Sequence, residues 1–307
     1  MTDQIQDGTQ PRIRHLELHI GPELTGVRVD TLLKKHLGLS GTVVRRIKWL
    51  PDGILADGQR VNTRFVPRKG QILSVRLSDP ERRSGILPVP GPLDIVYEDE
   101  DVIVLNKAPG VPVHPGPGHF DDTLGNFLLN YYDQSGVMGD FHPIHRLDRG
   151  TSGLLVVAKH PHAQEVLKQQ LHTCAFCRIY LAVCEGIPSP SSGHIDVPLG
   201  PKEGSLVEQA VRPDGKAAHT RYTVLESQGG RALVRLELDT GRTHQIRVHM
   251  AYLGHPLTGD FLYGTEAPDL IGRPALHSHQ LSFRHPITGQ RLSFSAPLLE
   301  DMERLLR

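Results

Sequence analysis

The stretch FHPIHRLDRGTSGLLVVAK, Phe141 to Lys159, is the densest polar cluster in the chain, with His145, Arg146, Asp148 and Arg149 ahead of a small-residue turn and an apolar run. An acid set between two arginines keeps its ionised form favoured, and a loop entering a rigid strand can hold a basic or nucleophilic carboxylate in fixed geometry. The same pattern also makes an ordinary surface ion-pair loop, which contributes little to stability. A second cluster, LDTGRTHQIRVHM, Leu238 to Met250, packs Arg242, His244, Gln245, Arg247 and His249 into eight positions. The spacing predicts a strand ending at Gly241 and a helix beginning near Thr243, with Gln245 and His249 on one face and Ile246 and Met250 on the buried one. Arg247 then projects toward a pocket edge. A helix start with arginines nearby suits an anion, whether a phosphate or a carboxylate such as Asp148.

Other spacings bear on metal or cofactor chemistry. CAFC, Cys174 to Cys177, is a CxxC pair with His172 and Cys184 nearby, but no second CxxC follows and Cys184 falls in an alternating strand pattern, LAVCEG. Among the 18 histidines, neither His142 with His145 nor His244 with His249 has the HExxH form. HPGPGH is broken by Pro115 and Pro117 and opens no helix, so no phosphate-binding glycine loop is expected. These observations predict no metal site and neither a dinucleotide nor a P-loop nucleotide site.

The elements that must position the two clusters follow from periodicity. LDIVYED and DVIVLNK predict paired strands, LGNFLLNYY and HAQEVLKQQL helices, and LLVVAK a buried strand. RIYLAVCEG, HTRYTVLES and ALVRLELDTG predict three more strands, and QLSFRHP with RLSFSAP a late hairpin before a terminal helix. Strands that follow one another without regular intervening helices favour an α+β fold with a mixed, mainly antiparallel sheet. Upstream, RVDTLLKKHL and GTVVRRIKWL have helical spacing, and QRVNTRFV and QILSVRL alternate as strands. Ser78 to Leu93 is crowded with Pro, Gly and charge. The expected division is therefore a small basic α/β module over 11–77, a linker over 78–92 and a larger domain over 93–307.

The 307 residues carry 34 basic and 34 acidic side chains, but 11–77 holds 13 Lys or Arg against 5 Asp or Glu. A basic block on an otherwise acidic chain fits a nucleic-acid tether beside a separate working domain. With 38% hydrophobic residues and no apolar run long enough for a membrane helix, no membrane span is expected. The N-terminus has no secretory pattern and three cysteines suggest no disulfide framework, so a cytoplasmic setting is expected.

Both clusters, together with NKAPGVPVHPG (Asn106 to Gly116) and RIYLAVCEG (Arg178 to Gly186), resemble the RluA-type RNA pseudouridine synthases. HRLDRGTSGLLVVAK is similar to the family's catalytic-loop motif, TGRTHQIRVHMAYLGHPLTGDFLYG to its arginine motif, and HSHQLSFRHPITGQRLSFSAP to its C-terminal strands. The basic block resembles the S-four-like RNA-binding module often fused in front. The chain departs from the pattern at Ala108, where Pro is usual, at Arg178, where Lys is common, and at ILADGQRV in the module.

The resemblance implies the pseudouridine synthase fold and a cofactor-free isomerisation of specific uridines in structured RNA, ribosomal RNA first and transfer RNA next. It assigns catalysis to Asp148, Tyr180 and Arg247. Asp148 attacks covalently, at the ribose or the uracil ring, or stabilises developing charge, while Tyr180 stacks on the base and helps move a proton. Arg247 pairs with Asp148, and Arg146 fills the space that the flipped uridine leaves. His145, Arg242, His244 and Gln245 are the remaining substrate-binding candidates. A non-catalytic RNA-binding or ribosome-associated protein of the same fold is the competing reading, and a metal-dependent hydrolase a third. A monomer with no obligate protein partner is expected.

Overall fold

The computed structural model describes residues 12–171 and 173–307; most of the N-terminal stretch that shows no secretory pattern, and His172, lie outside the described residues. The basic block forms β1 (His15–His19), α1 (Val29–Thr31) running on as a π turn over Leu32–His36, α2 (Gly41–Ile47), β2 (Ile54–Ala56), β3 (Gln59–Arg60) and β4 (Ile72–Arg76). Ser40 caps α2 by accepting the Val43 N–H at 3.3 Å. Val29, Leu32, Leu33, Val43 and Ile47 pack onto Leu73 and Val75 of an antiparallel sheet ordered β1-β4-β2-β3. The strand expected over QRVNTRFV stops at Arg60, because the Asn62 side chain accepts the Arg64 N–H at 2.8 Å and turns the backbone.

No helix or strand forms between Arg76 and Ile95, yet this segment is no free tether. Asp140 accepts the backbone N–H groups of Arg83 and Ser84 at 2.8 and 2.9 Å, Arg82 donates to the Gly139 carbonyl at 3.0 Å, and Asn126 donates to the Leu87 carbonyl at 2.7 Å.

Next come β5 (Ile95–Glu98), β6 (Val102–Lys107), α3 (Leu124–Ser135), β7 (His142–Pro143), β8 (Ser152–Ala158), α4 (Pro161–Gln170) and β9 (Cys177–Glu185). They are followed by β10 (Ser192–Ile195), β11 (Leu199–Pro201), β12 (Gln209–Val211), β13 (Thr220–Gln228), β14 (Arg231–Leu238) and α5 (Gln245–Tyr252). The chain ends with β15 (Leu276–Arg284), β16 (Arg291–Ser295) and α6 (Glu300–Glu303). A ten-stranded sheet runs β10-β13-β14-β9-β15-β8-β6-β5, with β16 beside β15 and β7 beside β8. β15 is parallel to β8 and the other pairings are antiparallel, so the α+β, mixed and mainly antiparallel architecture expected from the sequence is what forms.

Every residue of β8 is buried, because helices and loops cover both faces of this central strand. The parallel contact is close: Gly153 has φ +105°, and a Cβ there would lie 2.3 Å from the Ser278 carbonyl oxygen. Glycine is therefore required where the HRLDRGTSGLLVVAK stretch enters the sheet. Thr123 and Asn126 cap α3 reciprocally, and Gly136 ends it in the left-handed region.

Candidate active site

All eight side chains singled out from the sequence line one cavity of about 310 Å³: His145, Arg146, Asp148, Tyr180, Arg242, His244, Gln245 and Arg247. Asp148 sits between β7 and β8, its side chain 19% exposed, and its carbonyl accepts the Thr151 N–H at 3.0 Å to turn the loop. His145 and Arg146 share that loop, Tyr180 comes from β9, and Arg242, His244, Gln245 and Arg247 come from the start of α5 and the segment before it.

A buried lysine clamps the loop from below. Lys107, at the end of β6 and 2% exposed, donates to the carbonyls of Ala108, Val111 and Arg149 at 2.8, 2.9 and 3.2 Å. The Arg149 carbonyl also accepts the Gly110 N–H at 2.8 Å, and Arg273 donates to the Gly150 carbonyl at 3.2 Å. Asp148 thus hangs from a backbone held on both sides. NKAPG stands out in the sequence, but nothing local shows that its lysine reaches 42 residues along the chain. Replacing Lys107 by Met releases these carbonyls and is expected to lower turnover about 10²-fold, as misplacement of a reacting group by about 1 Å does. Burial first, then the Arg273 charge, pull the Lys107 pKa down to about 7 from 10.5, with Asp148 opposing. The folded protein therefore holds fewer protons than the unfolded chain between those values. Its penalty is complete below about pH 7 and relieved as pH rises toward 10.5. Urea titrations over that range should show a rising limb in the wild type that Lys107→Met flattens.

Arg247 faces two carboxylates, Asp148 as expected and also Asp260. Its contact with Asp148 is 3.8 Å from Nη1, whereas Nε and Nη2 form a two-pronged fork on Asp260, each at 2.7 Å. Asp260 is fully buried and accepts the N–H groups of Leu262 and Tyr263 at 3.1 and 3.2 Å. Burial alone would lower the Arg247 pKa; hydrogen bonding and charge from Asp260, then the charge of Asp148, raise it overall. The guanidinium lies over the rings of Phe261 and Tyr263, whose centroids are 5.6 and 5.0 Å from its central carbon. Asp260 stands inside GDFLYG, but thirteen residues from its partner no sequence spacing pairs them.

His244 is the N-cap of α5, which begins at Gln245, two residues past the expected start near Thr243. It has φ +55°, a left-handed conformation that costs a histidine about 1–3 kcal/mol and concentrates at functional sites. Its Nε2 lies 3.9 Å from Asp148 Oδ2 and its Nδ1 2.7 Å from the Tyr263 hydroxyl. Burial lowers its pKa, with the Asp148 charge opposing, and the net lowering favours the neutral ring at pH 7. The Tyr263 oxygen accepts the Gln209 N–H at 2.8 Å; if its proton goes to Nδ1, the Nε2 proton faces Asp148.

Gln245 is engaged within the protein. Its oxygen accepts from the Thr240 hydroxyl and the Arg242 N–H, both at 2.9 Å, and its amide donates to the His219 carbonyl and Thr220 hydroxyl, both at 3.0 Å. His249 meets the same Thr220 hydroxyl at 2.8 Å, so the shared face expected for these two docks α5 on β13. Arg242 donates to the Ala217 carbonyl at 2.9 Å, and Arg146 is exposed at the cavity mouth. Burial raises the Tyr180 pKa, so its phenol stays protonated. The His145 ring is buried with neither nitrogen hydrogen-bonded among the described residues, and burial, then the Arg178 charge, pull its pKa to about 3.

The cysteines do not assemble. Cys174 is exposed, whereas Cys184 lies in the core seven residues along β9 from Cys177, about 23 Å at strand rise. Asp99, Asp101 and His285 do converge, with candidate ligand atoms within 4.8 Å. His285 Nδ1 accepts the Ile287 and Thr288 N–H groups at 3.3 and 3.1 Å, however, which leaves Nε2 carrying the proton, 3.0 Å from Asp99 Oδ2. A protonated nitrogen has no lone pair for a metal.

Residues 101–252 match the family model described as RNA pseudouridylate synthase. The chain is 41% identical to the uncharacterized RNA pseudouridine synthase YjbO of Bacillus subtilis (strain 168), over 89% of this chain and 96% of that protein. It is also 41% identical to the ribosomal large subunit pseudouridine synthase D of Vibrio parahaemolyticus, over 83% of this chain and 82% of the relative. Among solved structures, human RNA pseudouridylate synthase domain containing 1 superposes with a TM-score of 0.57 at 28% identity, covering 69% of this chain and 88% of that one. An aspartate held at the rim of an arginine- and histidine-lined cavity thus sits within a sequence that matches one family over nearly its whole length, and the chain belongs to the RNA pseudouridine synthases, enzymes that isomerise uridine in RNA.

Proposed function

We propose that this enzyme acts on structured ribosomal RNA in the cytoplasm, as a monomer, with Asp148 as its catalytic carboxylate. The supporting observation is the placement of Asp148 on the wall of the cavity that also holds Tyr180, with Arg247 and His244 3.8 and 3.9 Å from its carboxylate. The reaction breaks the bond from ribose to the base nitrogen, turns the uracil and rejoins it through carbon five, whose proton is lost as the ring nitrogen regains one. Tyr180 supplies a flat face and a hydroxyl for the turning base. Arg146, at the mouth, takes the space vacated by the flipped uridine, a step costing a few kcal/mol in unstacking. The names of several relatives point to the large ribosomal subunit. Pseudouridine mapping in a strain lacking this protein, complemented by wild type or Asp148→Asn, tests the reading. A ribosomal site lost on deletion and restored by wild type alone supports it, and loss confined to transfer RNA overturns the substrate assignment.

The basic block, 11–77, serves in this reading as an S-four-like RNA-binding module. Arg45, Arg64, Arg68 and Lys69 are exposed there, and no carboxylate lies within 4 Å of them among the described residues. Changing all four to Gln should reduce the slope of log affinity against log salt by about 0.7 to 0.9 for each phosphate that is no longer neutralised, while single-turnover modification at saturating RNA persists. An unaltered slope means that these charges are merely solvated.

A further inference from the structure

Four arginines are buried among the described residues: Arg76, Arg178, Arg247 and Arg273. Three of them hold a carboxylate at 2.7–2.8 Å: Arg76 with Asp52, Arg247 with Asp260 and Arg273 with Asp301. Arg178 is the exception. It is 5% exposed and has no carboxylate within 4 Å among the described residues. Among the described residues its one side-chain hydrogen bond is a 3.3 Å contact from Nη2 to the Thr240 carbonyl, and its buried Nε has no partner. Glu237 and Asp239, on the wall of an adjoining cavity of about 370 Å³, are taken by Arg221 and Arg235.

Its position explains why that matters. Arg178 precedes Tyr180 by two residues on β9, so both point to the same sheet face. The guanidinium lines the catalytic cavity and the adjoining one, which also share Leu171 and Leu238. Gly241 leaves room for it: a Cβ there would lie 2.9 Å from Nη1. The unpartnered His145 ring lines the same cavity and offers a neutral donor. A buried guanidinium without a counterion is strongly penalised, and its planar fork matches the oxygens of a phosphate.

We propose that Arg178 is the missing half of an ion pair that the substrate completes: it receives a phosphodiester group of the RNA strand beside the flipped uridine, between the two cavities. The inference rests on the reading of this cavity as the uridine-isomerising site. It predicts an unusual combination, because removing the charge relieves the free protein while harming the complex.

The test uses the full chain as wild type, Arg178→Met and Arg178→Lys, with thermal melts in sodium phosphate against sodium chloride of equal ionic strength. Phosphate should stabilise the wild type and the Lys variant but not the Met variant, which in chloride should melt at or above the wild-type temperature. RNA binding by Arg178→Met should weaken roughly ten- to a hundredfold, with the salt slope reduced by about 0.7, and Lys should restore part of both. Equal phosphate stabilisation of wild type and Met variant overturns the proposal, as does a Met variant that melts earlier or does not fold, which would make the guanidinium structural. Stabilisation by uridine but not by inorganic phosphate, lost in Arg178→Met, also overturns it and assigns the residue to the base. None of these measurements needs turnover. A wild type that shows the Arg178-dependent phosphate response but forms no pseudouridine sinks the catalytic reading alone.

Discussion

Changing Asp148 to Asn is expected to reduce pseudouridine formation by at least about 10³-fold while the protein melts and binds RNA much as the wild type does. The substitution is nearly isosteric and removes only the charged oxygen. Its structural consequences are small because Asp148 is not what compensates Arg247, whose fork stays closed on Asp260. The carboxylate makes only long contacts, 3.8 Å to Arg247 and 3.9 Å to His244, so no short hydrogen bond is lost. Asp260 is fully buried and occupied by Arg247, and Glu237 and Asp239 of the adjoining cavity are held by Arg221 and Arg235, so none of them stands in. Single-turnover assays with RNA in place of steady-state rates separate lost chemistry from lost binding. Turnover near the wild-type level by the Asn variant would remove Asp148 from the mechanism.

The second large effect is on stability. Arg247→Ala leaves the fully buried Asp260 carboxylate without its cation and served only by the N–H groups of Leu262 and Tyr263. Breaking one side of a buried pair costs about 3–5 kcal/mol. For a chain of this size that lowers the melting temperature on the order of 10 °C. Activity should fall as well, because the fixed cation 3.8 Å from Asp148 is gone. A double variant, Arg247→Met with Asp260→Leu, separates the two roles, since replacing both members of a buried pair by apolar residues of similar volume is often neutral. We expect it to regain most of the stability and none of the turnover. Recovered turnover would show that Arg247 acts only by holding the fold.

The sequence by itself determined eight of the ten strands of the large sheet, most helices and eight side chains that line the cavity, whereas β7 and β10 were not foreseen. Alternation in RIYLAVCEG and ALVRLELDTG marks β9 and β14, and the all-apolar LLVVAK marks the doubly covered β8, because side-chain periodicity reports how many faces of a strand are buried. Asp148, Tyr180 and Arg247 were legible because each stands in a short stretch of unusual polar density or family-like pattern. What only the tertiary structure decided is who partners whom. Arg247 takes Asp260 in preference to Asp148, Gln245 spends all four of its hydrogen bonds inside the protein, and Lys107 reaches the Arg149 carbonyl. The shortness of β3, cut by the Asn62 side chain, and the stapling of the linker by Asp140 also escaped periodicity. The reason is common to all of them. Periodicity tells which face of an element is buried, whereas a hydrogen bond or ion pair depends on distances between elements far apart in the chain, and those exist only once the sheet has set its register.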